Sequence, residues 1–202
     1  MKSKKVGIYG GTFSPPHMGH VSSAEIFLDE MKLDKLLIIP TYAPPHKQFN
    51  NEASTDERLE MCRLAFSHLE NVEISDIEIK RGGKSYTYLT LEELQADDVE
   101  LYMLVGTDMI LTMDSWKNPE RIFSSAKICY VRRESDLSTA FEIDEKIALY
   151  RNKYGASVYE IRNKVISISS SEIRNAISTG DGKVSLLPES VSDFISQRGL
   201  YR

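Results

Sequence analysis

Short apolar runs alternate along this chain with longer segments whose apolar residues recur at helical spacing. The runs at 5–9, 35–39, 72–79, 100–105, 127–131 and 164–168 predict strands. The periodic segments at 20–31, 56–69, 90–96, 110–113, 142–154, 171–178 and 189–197 predict helices. Strand following helix in this way is the pattern of a parallel sheet with helices on its faces. Asp76 and Glu78 alternate with Ile74, Ile77 and Ile79 and read as the polar face of a strand. Ser54-x-x-Glu57 is a capping box for the second helix, with Leu59, Cys62, Arg63 and Phe66 at helical spacing behind it. Gly155 and Gly180 fall where helix ends favour a residue tolerant of positive φ. Residues 134–140 are polar and read as a loop over the sheet. No internal repeat, low-complexity tract or Pro/Gly-rich linker divides the 202 residues, which predicts one domain over 1–202.

Composition narrows the classes without choosing among them. Hydrophobic residues at 41% and charged residues at 27% are ordinary globular values. A net charge of −5 speaks against a nucleic-acid partner, because no broad excess of Lys and Arg exists to neutralise a phosphate backbone. Small anionic substrates need only local positive charge and stay open. The basic start, Met1-Lys2-Ser3-Lys4-Lys5, leads into a strand-like run and not into a signal-peptide core. No apolar stretch approaches the ~20 residues of a membrane helix, so the expectation is a cytoplasmic protein with no membrane partner. Cys62 and Cys129 lie far apart, without CxxC spacing, and predict two reduced cysteines and no zinc site or disulfide framework.

The chemistry begins at Gly10-Gly11-Thr12-Phe13-Ser14-Pro15-Pro16-His17-Met18-Gly19-His20, directly after the apolar run Val6–Tyr9. A buried strand, a tight glycine turn and a helix start make an anion site: the backbone can approach closely, and unpaired N–H groups offer partial positive charge. Three of the four histidines, His17, His20 and His46, lie in motifs, and His68 stands near a helix end. His17 and His20, three apart at that corner, can face one phosphoryl group; capping, core filling or metal ligation are the alternatives. The pair has no obvious third protein ligand, so no protein metal site is expected.

Ser169-Ser170-Ser171-Glu172-Ile173-Arg174 opens another helix after the last predicted strand. Its hydroxyls and amides can hold phosphates, with Arg174 one turn in, although Ser169-x-x-Glu172 is equally a capping box. Pro44-Pro45-His46-Lys47 is stiffened by proline, so Lys47 is either held over a site at a strand's carboxyl end or simply solvated. Trp116, the one tryptophan, reads as a core residue or as a platform for a ring. Asp108, just after a strand, sits where a carboxylate commonly binds ribose hydroxyls.

The Gly-Gly-Thr-Phe-x-Pro-Pro-His-x-Gly-His run resembles the signature of the HxGH nucleotidylyltransferase superfamily, and its nicotinate mononucleotide adenylyltransferase branch in particular. Four more segments fit that branch in order: 40–47, Ser85-Tyr86-Thr87, Gly106-Thr107-Asp108 followed by Trp116, and 169–174. The resemblance runs from about residue 5 to residue 200. It implies a Rossmann-like, doubly wound α/β fold with a parallel sheet and helices on both faces. It implies transfer of AMP from ATP to nicotinate mononucleotide, with Mg²⁺ carried on ATP, in NAD synthesis. By resemblance Gly10, Gly11, Thr12, His20, Gly106, Asp108, Ser169, Ser170, Ser171 and Arg174 bind ATP. His46, Lys47, Ser85, Tyr86, Thr87, Trp116 and Arg132 bind the acceptor, the tryptophan against its pyridine ring. His17, His20, Thr12, Lys47 and Arg174 then serve the transfer itself. A phosphate monoester nucleophile is already ionised near neutral pH, so what is needed is alignment and charge stabilisation, with no general base.

The chain departs from the family pattern at several places. Ser14 stands where Asp is usual, Leu89 where an Asp follows Ser-Tyr-Thr, and Thr107 where Ala is common. Lys117 replaces a frequent aromatic residue, and Arg133-Glu134 a frequent Pro-Gly. These leave nicotinamide mononucleotide or phosphopantetheine as alternative acceptors, and a non-catalytic nucleotide-binding regulator as the alternative class. The sequence leaves room for a homo-oligomer.

Overall fold

The computed structural model describes residues 3–43, 53–131, 139–161, 166, 168–180 and 182–202. Six strands, β1 (Lys4–Gly11), β2 (Lys35–Pro40), β3 (Val72–Ile74), β4 (Val99–Gly106), β5 (Lys127–Val131) and β6 (Val158–Ile161), form one sheet. Every neighbouring pair is parallel, in the order β3-β2-β1-β4-β5-β6. The helices are α1 (Met18–Met31), α2 (Thr55–Phe66), α3 (Ile77–Arg81), α4 (Thr87–Leu94), α5 (Thr107–Ile110), α6 (Pro119–Ser125), α7 (Ala140–Tyr154), α8 (Ser170–Thr179) and α9 (Glu189–Arg198). Single 3₁₀ turns lie at Met113–Ser115 and Gly182–Leu186. This is the doubly wound α/β arrangement expected, and strand order reverses direction between β1 and β4. Ligands of open α/β sheets bind at the carboxyl ends of the strands where that reversal occurs.

The central strands read as unbroken apolar runs because both of their faces are buried. Leu36 and Ile38 of β2, Tyr102 and Leu104 of β4 and Cys129 of β5 pack under α1, α2, α8 and α9, against Phe27, Met61, Phe66, Ile173 and Val191. Leu37, Ile39, Met103, Val105, Ile128 and Tyr130 enter a second core on the opposite face with Leu91, Ile110, Met113, Ile143 and Tyr150. The cap signals hold. Ser54 accepts from the Glu57 N–H at 3.3 Å and its own N–H donates to the Glu57 carboxylate at 2.8 Å. Gly155 and Gly180 close α7 and α8 at φ of 64° and 73°.

Two strand expectations need correction. The predicted strand at 72–79 ends at Ile74, and the chain turns into α3 with Asp76 at its N-cap. Only the Ser75 N–H, bonded to the Ile38 carbonyl at 2.9 Å, still follows β2, because the next inward N–H, that of Ile77, turns to Ser75 Oγ at 3.4 Å as α3 begins. Glu78 is therefore no exposed strand residue; it is 7% exposed. The last strand is Val158–Ile161 and not 164–168, of which 164, 165 and 167 lie outside the described residues. The left-handed turn at Gly155 delivers the chain to the β5 edge within three residues, so Val158 pairs with Ile128 before the later apolar run is reached. Helix α6 starts with Pro119 at its first turn after a left-handed Asn118, a start signal passed over in the sequence reading.

Candidate active site

The carboxyl ends of β1 and β4 floor two adjoining cavities, of 690 and 380 Å³, which share Gly10, Gly11, Thr12 and Asp108. His17, His20, Gly106, Ser169, Ser170, Ser171 and Arg174 line the smaller one. Ser85, Tyr86, Thr87 and Trp116 line the larger. The residues expected to hold a nucleotide and those expected to hold its acceptor thus separate into two compartments meeting at the glycine turn. His46, Lys47 and Arg132 lie outside the described residues.

The glycine turn is built by packing as much as by glycine. Phe13 takes a left-handed φ of 49° and buries its ring at 1% exposure, edge-on to Tyr9 and Phe66. His17 is the N-cap of α1 and 3% exposed, whereas His20 is half-buried. Their rings stack with centroids 3.7 Å apart, and Phe13 meets the His20 ring edge-on at 5.0 Å. The His17 backbone N–H donates to His20 Nδ1 at 3.2 Å. A neutral His20 consequently carries its proton on Nε2, which makes that nitrogen a donor to an incoming anion. Gly19 lies one residue earlier because nothing larger fits: a Cβ there would come within 2.6 Å of the Ile166 carbonyl.

The start of α8 is locked onto this turn. Ser169 forms the capping box, accepting from the Glu172 N–H at 3.2 Å while its N–H donates to the Glu172 carboxylate at 3.0 Å. Ser170 Oγ donates to the Pro15 carbonyl at 2.9 Å, and Arg174 Nη1 to the Ser14 carbonyl at 2.8 Å. Arg174 Nη2 also donates to Ser171 Oγ at 3.1 Å. The capping reading of this motif is therefore present, and the same helix start borders the smaller cavity.

At the larger cavity, Ser85 Oγ accepts the Tyr42 N–H and the Ser85 N–H donates to the Ala43 carbonyl, both at 3.0 Å. Tyr86 is the N-cap of α4 and Thr87 its first residue. Behind them, Thr90 donates to the buried Glu78 carboxylate at 2.7 Å and accepts from Arg81, which also pairs with Glu93 at 3.0 Å. Trp116 is half-buried: it packs on the second core and also lines the larger cavity. The segment carrying it is braced by Tyr150, which donates to the Ile110 carbonyl at 2.7 Å, and by the Lys146–Asp114 ion pair at 2.7 Å. Burial alone would raise the Asp114 carboxyl; Lys146 and the Tyr150 hydroxyl hold it below its ordinary range.

Arg58 escaped the sequence reading. It sits in the first turn of α2, is 2% exposed, and reaches carbonyls on two different loops. The available signal was its position on the buried stripe of α2 with Met61, Cys62 and Ala65, where a cation is out of place.

Residues 8–176 match the cytidylyltransferase-like family. A probable nicotinate-nucleotide adenylyltransferase of Desulfatibacillum aliphaticivorans is 36% identical over 98% of this chain and 99% of its own length. The relative of that name from Clostridium tetani is 34% identical over 98% of this chain and all of its own. This chain belongs to the nicotinate-nucleotide adenylyltransferase family. Among solved structures, the Plasmodium falciparum nicotinic acid mononucleotide adenylyltransferase complexed with NaAD shares the fold at a TM-score of 0.78 and 18% identity, covering 98% of this chain and 97% of that one. A putative nicotinate-nucleotide adenylyltransferase from Vibrio parahaemolyticus superposes at 0.68 with 21% identity, over 96% and 99%.

Of the departures from the family pattern, Ser14 and Thr107 find local partners, while Arg133 and Glu134 lie outside the described residues. Ser14 is buried and its Oγ lies 3.0 Å from the Tyr201 hydroxyl, which ties the C-terminal turn to the segment between β1 and α1. Thr107 donates to the Val131 carbonyl at 2.9 Å and joins the ends of β4 and β5. Lys117 is exposed and lines the larger cavity. Nothing in the structure explains Leu89.

Proposed function

We propose that this protein is an enzyme that transfers the adenylyl group of ATP to nicotinate mononucleotide, giving nicotinate adenine dinucleotide and pyrophosphate, and that it does so in the cytoplasm. The observation that carries this reading is the pair of cavities meeting at Gly10–Thr12 and Asp108, with the two histidines on one side and Trp116 on the other. The family relatives, named for that reaction, agree with it.

An oxygen of the acceptor's phosphate forms a bond to the α-phosphorus of ATP as the bond from that phosphorus to the β-bridging oxygen breaks. The nucleophile is ionised near neutral pH and pyrophosphate leaves as the anion, so no proton transfer is required. His20 Nε2–H, the amides after Gly10 and those at the α8 start donate to the triphosphate, with Thr12 and Arg174 assisting. His17 stacks behind His20 and its N–H holds the tautomer. Asp108 binds the adenosine ribose, while Trp116 and the Ser85-Tyr86-Thr87 corner take the pyridine nucleotide. His46, Lys47 and Arg132 complete the set on the strength of their motifs. Mg²⁺ enters as part of the substrate, chelated by the triphosphate, where it offsets charge on the leaving group.

The decisive assay is pyrophosphate release from ATP and Mg²⁺ with nicotinate mononucleotide, nicotinamide mononucleotide or phosphopantetheine as acceptor. Preference for the first is expected. Preference for another keeps adenylyl transfer and replaces the acceptor. No release with any of them, from protein that binds ATP by calorimetry, replaces the enzyme with a nucleotide-binding regulator.

A further inference from the structure

A cation in the first turn of a helix faces the partial positive charge of that terminus, and a buried cation loses its hydration; Arg58 carries both costs. Against these costs stand its hydrogen bonds. Nη1 donates to the Thr12 carbonyl at 2.8 Å, and Nη2 to the Thr41 carbonyl at 2.7 Å and the Thr55 hydroxyl at 3.4 Å. Thr12 follows the glycine turn and lines both cavities; Thr41 follows the last residue of β2 and lines the larger. The same two segments are joined once by backbone, the Thr41 N–H donating to the Gly11 carbonyl at 2.9 Å. One planar guanidinium thus bridges the nucleotide-side turn and the exit of β2, two loops that no strand pairing extends across.

We propose that Arg58 is a positioning residue for adenylyl transfer: by fixing the Thr12 and Thr41 carbonyls to one rigid fork, it sets the separation between the nucleotide and acceptor compartments. This rests on the function proposed above. Carbonyl oxygens that accept from a buried cation repel anionic substrates less than uncompensated ones would. The fork geometry matters because an ammonium cannot hold two divergent carbonyls in fixed register as a guanidinium does. A shift of about 1 Å between bound reactants costs on the order of 10²-fold in rate while leaving each reactant's own contacts intact. Loss of the bridge should therefore appear in turnover and not in the binding of either substrate.

The test compares Arg58→Met and Arg58→Lys with the unaltered protein, measuring kcat and both KM values by pyrophosphate release, ATP affinity by calorimetry without acceptor, and thermal unfolding. The expected result is a kcat lowered on the order of 10²-fold in Arg58→Met, with both KM values and the ATP dissociation constant within about 3-fold. Arg58→Lys should fall between, since it keeps the charge and can reach one carbonyl. A folded variant with unaltered kcat overturns the proposal. So does a loss that disappears once rates are normalised to the ATP-binding sites counted by calorimetry, which would mark Arg58 as structural only. Where Arg58→Met does not fold, Arg58→Lys is judged by the same criteria. Absence of turnover in the unaltered protein removes the underlying function; turnover there with indifferent variants removes Arg58 alone.

Discussion

At the scale of single residues, the site separates groups that act from groups that hold them. His20 is the half-buried member of the stacked pair and accepts the His17 N–H at Nδ1, so a neutral His20 carries its proton on Nε2. His20→Ala is expected to lower turnover by on the order of 10²-fold or more, the scale for removing one preorganised donor. Turnover close to that of the unaltered protein in a pyrophosphate-release assay would take the donor role from His20. Trp116 has a different expected signature. It both packs on the core and lines the larger cavity. Trp116→Ala should raise KM for the pyridine nucleotide and leave KM for ATP nearly unchanged, read from separate titrations of each substrate. An equal change in both would mean that the core side of the ring dominates.

At the scale of elements, the corner between β1 and α1 depends on a close approach that local propensity opposes. Alanine in a helix interior is ordinarily favoured over glycine by about 1 kcal/mol. At Gly19, however, a Cβ would lie 2.6 Å from the Ile166 carbonyl and 3.0 Å from the His17 ring. Backbone oxygen cannot move aside as a flexible side chain can, so overpacking at a cost of about 1–3 kcal/mol should outweigh the propensity gain. Gly19→Ala is thus expected to lower the urea midpoint and, by displacing His17, the turnover as well. A raised midpoint would mean that the approach of the 166 segment relaxes freely. The same lesson covers α8, whose capping box could be read from Ser169 and Glu172 alone, whereas its attachment to Pro15 and Ser14 joins residues about 155–160 positions apart.

At the scale of the whole molecule, ionisation couples to folding on both sides of neutrality. Hydrogen bonds from Ser54 hold Glu57 below its ordinary value, and Lys127 with Tyr102 does the same for Glu100. Asp114 is held low by Lys146 and Tyr150 against the effect of burial. A carboxyl depressed in the folded state stabilises fully above its unfolded value, about 4, and that stabilisation is lost as pH falls through the folded value. Burial pushes the Cys129 thiol up to about 12 and Cys62 higher still, so thiolate formation above about pH 8.5 favours the unfolded chain. The expected urea midpoint, followed by circular dichroism, is flat from about pH 5 to 8 and declines on both sides. A midpoint that kept rising down to pH 3 would contradict the acid limb.

Read alone, the sequence determined the layered class, the central strands, the caps at Ser54, Ser169, Gly155 and Gly180, and the glycine turn between β1 and α1. These are short-range features: a strand buried on both faces must be apolar throughout, a cap needs a hydroxyl and a carboxylate three apart, and a glycine turn names itself. Tertiary structure alone decided the rest. The start of α3 ends β3, and the β5 edge claims Val158–Ile161 before the later apolar run. Glu78 enters the wall of the larger cavity only because α4 brings Thr90 to it from 12 positions away. Arg58 was illegible for the clearest reason, since its acceptors are backbone carbonyls 46 and 17 positions off, and a carbonyl is the same at every residue. Side-chain chemistry leaves its mark in the order of the letters, but the convergence of backbone atoms appears only once the chain is folded.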